Sequence, residues 1–406
     1  MADPRKDNSP SDANQWLLDR TIRHSIYMQR VSSSEAKKIL EALNDDVLKP
    51  LMERLRIEFL QMDASVADGR SAFVLNTEAR FRLERITAIT QQMVASITQN
   101  YGDRIEAGLI DIGEYEIDWQ ADALQDVMRQ AVPNFEELAK TNRVGINVDF
   151  DTPSIDLIRA SVEHNPFQGK TLRGWMQTQE LATVASVRRN SEQILKNIRR
   201  GLAEGDSING MVRRVMGEAG FGKRGAFSKI RSDYEGIVRT AVTSISNEAR
   251  HLTYQNNADL IKGIQFVATL DSRTTVECGA NDGKIFDIDK GPRPPLHFRC
   301  RSSTVPVLKS WKELGIDLKE AEPPTRAFLE APVGKVLNGQ VPGSVNYEKW
   351  LKGQSKELQD DILGPGRADV LRRGVLKFED FIDSLNRPLS LQELINKERI
   401  AKRRKR

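Results

Sequence analysis

One helical stripe, followed by an abrupt change of period, constrains this chain more than any other feature. Tyr234, Ile237, Val238, Ala241, Val242, Ile245, Ala249 and Leu252 recur at i, i+3, i+4 spacing. That spacing lays them along one face of a long helix over about 227–256. After Gly263 the period shortens. Residues 264–270 (Ile-Gln-Phe-Val-Ala-Thr-Leu) read as a strand, and Ser303-Thr304-Val305-Pro306-Val307 reads as its return. Between them lies a compact polar segment, 271–301. The chain is therefore predicted to be mainly α with a small α+β motif domain: long helices fill the N-terminal half, and a short β-hairpin region lies near 264–307.

Helical patterning dominates upstream. Ser32 and Glu35 form a capping-box pattern, followed by Ile39, Leu40, Leu43, Val47, Leu48, Leu51, Leu55 and Phe59 at helical spacing, with Pro50 expected to kink or restart the helix. A further helix is predicted over about 71–100, carrying Phe81, Ile86, Met93 and Ile97. Segments 111–130 and 134–140 are rich in Asp and Glu, and the alternation of Val144, Ile146, Val148 and Phe150 suggests a short strand over 143–155. A second helical block runs from about Thr171 to Gly201. Asp206 is the expected N-cap of a short helix to about Val215, and Gly217 to Gly225 is a loop. The last hundred residues hold Pro- and Gly-rich loops, helical regions near Tyr347–Leu363 and Phe378–Leu385, and a basic tail expected to be disordered. Three segments follow: an N-terminal helical, partner-binding region at 1–165, a motif domain at 166–310 and a C-terminal extension at 311–406.

Composition narrows the classes. With 39% hydrophobic residues among 406, the chain has enough apolar material for real cores and is not a disordered polymer. The formal net charge is +4. Lys397 to Arg406 carry seven basic residues and one acidic, so the other 396 residues sum to −2. The positive character is a tail. The N-terminus lacks the apolar stretch of a secretory signal, and no run approaches the ~18 apolar residues of a membrane span. Two cysteines supply no disulfide scaffold, which points to synthesis in a reducing cytoplasm.

Both of those cysteines, Cys278 and Cys300, fall in 271–301 together with His297, one of four histidines. His297-x-x-Cys300 spans one tight turn, and thiolates with a neutral imidazole suit Zn²⁺. A closed structural site wants four ligands; Asp271 or Asp282 is the candidate fourth. The competing reading is that the thiols and His297 pack a small hairpin core, where free cysteine behaves as a small hydrophobe.

Other patterns carry less. Gly217 to Arg224 matches G-x-x-x-x-G-K, but Arg224 stands where a phosphate-binding loop needs the Mg²⁺-holding Ser or Thr. No nucleophile elbow, carboxylate dyad or metal-activating cluster accompanies His24, His164 or His251. The pairs Arg188-Arg189, Arg199-Arg200 and Arg213-Arg214 read as solvated helix faces, with phosphate contact as the competitor. Lys402, Arg403, Arg404, Lys405 and Arg406 are candidate contacts for DNA or for an acidic partner surface.

The ordered set of residues is more specific than any one of these motifs. Arg239-Thr240 on a long helix is followed by a strand, then by Asp271-x-Arg273-Thr274-x-x-x-Cys278-x-x-x-x-Gly283, then by Pro294-Pro295-x-His297-x-x-Cys300-Arg301. This resembles the phage Mu protein F-like family, also called the SPP1 gp7-like phage head morphogenesis proteins, over about 170–307. Tyr347-x-x-Trp350-Leu351-x-x-Gln354, Gln359, Leu363-Gly364-x-x-Arg367 and Gly374 look like the region that often follows this domain in phage minor head proteins. Many members carry Thr-Cys-x-x-Cys and His-x-x-Cys-Arg-Cys. Here Thr275 and Ser302 stand at the first and last of those cysteine positions, which removes a four-cysteine site and leaves a Cys278–Cys300 pair as an alternative.

The resemblance implies a non-enzymatic phage minor head protein, assembled in the bacterial cytoplasm and carried in the virion. It would act in head morphogenesis at or near the portal, and in DNA packaging or ejection. Its implied partners are the portal protein, the major capsid or scaffold protein, and DNA. Arg239, Thr240, Asp271, Arg273, Thr274, Gly283, Pro295 and Arg301 would then be structural motif residues. A metal-dependent nucleic-acid-processing enzyme of the packaging apparatus is the alternative, and a toxin- or effector-linked module a second.

Overall fold

The structure is a computed structural model that describes residues 13–43, 77–132, 150–164, 167, 169–178, 228–310, 312–314, 325–330, 337–342 and 345–404, with isolated positions between 45 and 57. Its elements in chain order are α1 (Ala13–Leu43), α2 (Thr77–Ala131), α3 (Ile155–His164), α4 (Ser228–Asn256), β1 (Ile261–Val267), α5 (Val276–Asn281), β2 (Ile285–Phe286), β3 (Ser303–Leu308), β4 (Thr325–Glu330), β5 (Leu337–Pro342), α6 (Tyr347–Lys352), α7 (Lys356–Leu363), α8 (Pro365–Arg373) and α9 (Leu391–Arg404). The fold is mainly α with a small β motif, as the periodicities predicted. Among the described residues, no helix is long and apolar enough to cross a membrane.

The chain divides into two compact units. The first comprises 1–30, 110–161 and 242–406; the second comprises 31–109 and 162–241. In the second unit Arg173 reaches both Asp103 (2.7 Å) and Glu106 (2.6 Å), and the Trp175 indole N–H donates to the Phe167 carbonyl.

The first unit is built on a three-stranded antiparallel sheet of order β2-β1-β3. Ile264 pairs with Phe286 on one side of β1 and with Pro306 on the other. Ile261, Ile264 and Val267 of β1 join Val305 and Leu308 of β3, Leu17, Leu18 and Ile22 of α1, and Leu124, Val127 and Met128 of α2 in one core. A second core gathers the C-terminal helices around Tyr347, Leu351, Val370, Leu371, Phe378, Phe381 and Leu394, and seats them on Leu270 and Ala280.

Local chemistry sets the ends of these helices. The Asn346 side chain caps α6 by accepting from Lys349 N–H, and Ser355 caps α7 by accepting from Leu358 N–H. Gly364 at φ +78° turns the chain into Pro365, the first residue of α8. Gly374 then closes α8 in the left-handed conformation. The Gln359 amide ties α7 to the Leu351 and Gln354 carbonyls.

Several expectations need correction. Ser32 and Glu35 lie inside α1, because Leu17, Leu18, Ile22 and Met28 extend the buried stripe upstream of them. The helix predicted over 71–100 and the acidic segment 111–130 are one helix of 55 residues, Thr77–Ala131. Residues 150–154 are not strand and lead straight into α3. Tyr347–Leu363 is two helices, and the helix expected at Phe378–Leu385 is one 3₁₀ turn, Phe378–Phe381. The C-terminal basic segment is helical through Arg404: Ser390 and Glu393 form a capping box at its start. Leu394 is fully buried in that helix, and Arg373 of α8 forks onto Glu398. Residues 143–149, the loop 217–225, the arginine pairs at 188–189, 199–200 and 213–214, the helix expected from Asp206, and the end residues Lys405 and Arg406 lie outside the described residues.

Candidate functional site

Three chemistry-bearing side chains of the motif segment converge beside the sheet. Thr275 is the extended residue before α5, so Cys278 faces inward from the helix's first turn. The Cys300 N–H bonds back to the His297 carbonyl (3.1 Å), closing a turn in which Arg299 adopts φ +58°. That turn returns Cys300 to Cys278. The two sulfurs lie 3.7 Å apart, and His297 Nε2 lies 3.3 Å from Cys278 Sγ. All three ligand atoms fall within 4.8 Å of one another. Both cysteines are free thiols, 1% exposed, packed among Phe266, Ala268, Phe286 and Leu296.

Protonation in this cluster is uneven. The neighbouring Cys300 sulfur and burial push the Cys278 thiol up, whereas the contact with Cys278, helped by His297, draws Cys300 down. Burial disfavours a charged His297, but the adjacent Cys300 outweighs it and raises the imidazole. His297 Nδ1 lies 2.8 Å from the Phe298 carbonyl, so that nitrogen carries the hydrogen and Nε2 keeps its lone pair toward the sulfurs.

Neither carboxylate weighed as a fourth ligand belongs to this cluster. Asp282 accepts from Ala268 N–H and from Tyr347 N–H, both at 2.7 Å, and so joins β1 to α6. Asp271 accepts both arms of the Arg301 guanidinium, one of them at 2.7 Å from NH2 to Oδ1. It also accepts from the Arg273 N–H and the Thr274 hydroxyl. Burial raises the Asp271 carboxyl, but the Arg301 fork outweighs it and holds it below the usual carboxylate range. The Asp271–Arg273 contact is secondary: the Arg273 guanidinium is 3.6 Å away and 66% exposed, so Arg301 is the partner that matters.

The remaining motif residues have structural surroundings. Thr240 is buried and donates to the Gly236 carbonyl within α4, and Arg239 pairs with Glu235 one turn back. Gly283 adopts φ +82° and donates its N–H to the Phe266 carbonyl (2.8 Å), ending α5 against β1. Pro295 is half-buried, next to the buried Pro294. Lys402 pairs with Glu398, while Lys402, Arg403 and Arg404 are exposed on α9.

Sequence reading missed a second constellation in the same unit. Glu116 of α2 is fully buried and accepts from Arg250 of α4, from Gln120 (2.8 Å) and from His24 of α1 (2.9 Å). Arg250 also donates to the Ser25 and Ser303 hydroxyls, and Tyr254 donates to Gln120. His24 stacks on Trp119 with ring centroids 3.6 Å apart. Burial pushes Glu116 up, but Arg250 and His24 pull it down to about 2. The signal was present: His24 shares the α1 stripe of Leu17, Thr21 and Met28, and Arg250 is four residues before the buried Tyr254. Polar residues at stripe positions mark a buried hub.

Residues 192–305 match the family model described as Phage Mu protein F like protein. Their described part, 228–305, contains α4, the sheet through Val305, Asp271, Arg301 and the cysteine–histidine cluster. The resemblance read from the motif residues thus holds over that segment. No curated protein and no solved structure matches the chain.

Proposed function

We propose, on the premise of that phage Mu protein F-like segment, that the chain is a minor component of a phage head. In this reading it is made in the host cytoplasm and acts structurally in head morphogenesis at or near the portal, with a further part in DNA packaging or ejection. The family match carries the reading. The motif residues support a mount rather than a reaction centre, since Asp271, Arg301, Thr274, Gly283 and Asp282 are occupied in holding β1, α5 and α6 together.

The helical segment 1–165 would supply partner-binding faces, the motif domain 166–310 the rigid mount, and the extension 311–406 a basic end. Portal protein, with capsid or scaffold protein, is the proposed protein partner. DNA is the proposed partner of the α9 end, where Lys402, Arg403 and Arg404 are exposed; such contacts neutralise phosphates without reading sequence and weaken with salt.

Co-expression with the portal protein of the same phage tests the assembly reading. Retention of the chain on tagged portal supports it; no retention at any salt concentration, with both partners folded, refutes it. The enzymatic alternative makes the opposite forecast: metal-dependent DNA cleavage that His297→Ala abolishes.

A further inference from the structure

Cys278, His297 and Cys300 have the spacing of three corners of a metal tetrahedron. With Zn–S near 2.3 Å and Zn–N near 2.0–2.1 Å, tetrahedral angles put two sulfur ligands about 3.8 Å apart, and a sulfur and a nitrogen about 3.6 Å apart. The observed separations are 3.7 Å between the sulfurs and 3.3 Å from Cys278 Sγ to His297 Nε2. A disulfide would need the sulfurs at about 2.05 Å.

The surroundings have the same polarity. His297 commits Nδ1 to the Phe298 carbonyl, which fixes the ring and leaves the Nε2 lone pair on the cluster. Thr275 Oγ1, at the N-cap position of α5, is buried with no hydrogen-bond partner among the described residues. Two buried sulfurs and an imidazole nitrogen at these separations match the ligand spacing of a soft divalent cation.

We propose that Cys278, Cys300 and His297 Nε2 bind one thiophilic divalent cation, zinc, with a solvent oxygen in the fourth position on the half-buried His297 side. Asp271 and Asp282 take no part, being held by Arg301 and by the Ala268 and Tyr347 amides. The ion joins α5 to the 292–301 loop beside β1, where both sulfurs pack on Phe266 and Ala268. The inference rests on these distances and does not depend on the head-protein reading.

The test uses the full chain, stripped with chelator under reducing conditions and titrated with Co²⁺. The proposal expects a near-ultraviolet thiolate-to-cobalt band that saturates at about one metal per chain and is displaced by Zn²⁺. Cys278→Ser and Cys300→Ser each abolish the band. His297→Gln weakens binding about tenfold or more, since loss of even an outer partner of a ligand costs that much. A folded wild-type chain with two titratable thiols and no cobalt band overturns the proposal. So does a Cys278–Cys300 disulfide in protein purified without reductant or chelator.

Discussion

Arg250 and Glu116 lie 134 residues apart in sequence, yet they form an ion pair whose side chains are 2% and 0% exposed. Through Ser25, Ser303, Gln120 and His24, that pair joins α1, α2, α4 and β3 at one buried point. Removing one partner strands a charge away from water. Arg250→Met or Glu116→Leu is therefore expected to cost about 3–5 kcal/mol, whereas the double replacement Glu116→Leu/Arg250→Met costs less than the sum. Urea unfolding of the single and double variants checks this, and strict additivity would refute the buried-pair account.

Acid should weaken the first unit in two stages. His251 is buried near Arg293 and Asp289. Burial first, and Arg293 second, lower it from 6.5 to about 4, against a raising effect of Asp289. His24, facing Glu116, Arg250 and Arg20, is also lowered, chiefly by burial. Between pH 6.5 and 4 the unfolded chain therefore binds protons that the folded chain refuses, and stability falls as pH falls. Glu116, at about 2 against 4.5 unfolded, adds a second loss as pH drops from 4.5 toward 2. Denaturant midpoints at pH 7, 5 and 4 follow the first stage, and His251→Gln should flatten it. A midpoint that rises on acidification over this range would contradict the assignment.

The Asp271–Arg301 fork should outrank the neighbouring Arg273. Arg301→Ala is expected to cost about 2 kcal/mol or more, because it leaves a 2%-exposed carboxylate without its bidentate partner. Arg301→Lys keeps the charge, loses the fork and falls between. Arg273→Ala should cost under about 0.5 kcal/mol. Equal effects at 273 and 301 would contradict this ranking.

Gly279 marks where α5 meets the C-terminal helices. A Cβ there would sit 2.4 Å from Tyr347 Cδ1 and 2.8 Å from Phe378 Cε1. Gly279→Ala is expected to destabilise by about 1–3 kcal/mol, despite alanine's better helix propensity. Limited proteolysis should release the 345–404 helices faster in the variant. An unchanged cleavage rate would mean that the contact gives way without cost.

Legibility in the sequence followed the range of the interactions. The α4 stripe and the 264–307 strands were readable because burial on one face imposes a period. Motif chemistry was readable where turns are short: His297 to Cys300 is one turn, and Cys278 was expected beside it. The capping box was readable as a pattern but not as an outcome. Ser32 and Glu35 show it inside α1, where apolar spacing continues upstream through Met28 and Ile22. Ser390 and Glu393 show it at a true helix start, where Pro388 precedes it. Context on the N-terminal side decides between the two. Least readable was the Glu116 hub, because its members come from three helices and a strand, and no local window holds more than three of them.

The central claim is that the chain is a structural part of a phage head. Mass spectrometry of purified DNA-filled heads of the phage encoding it, with intensity calibrated against the portal protein, tests this most directly. The account predicts the chain in the heads at low, reproducible copy number, and its loss from heads assembled without a portal vertex. Heads of normal composition that lack the chain, while it accumulates in the host lysate, would contradict it.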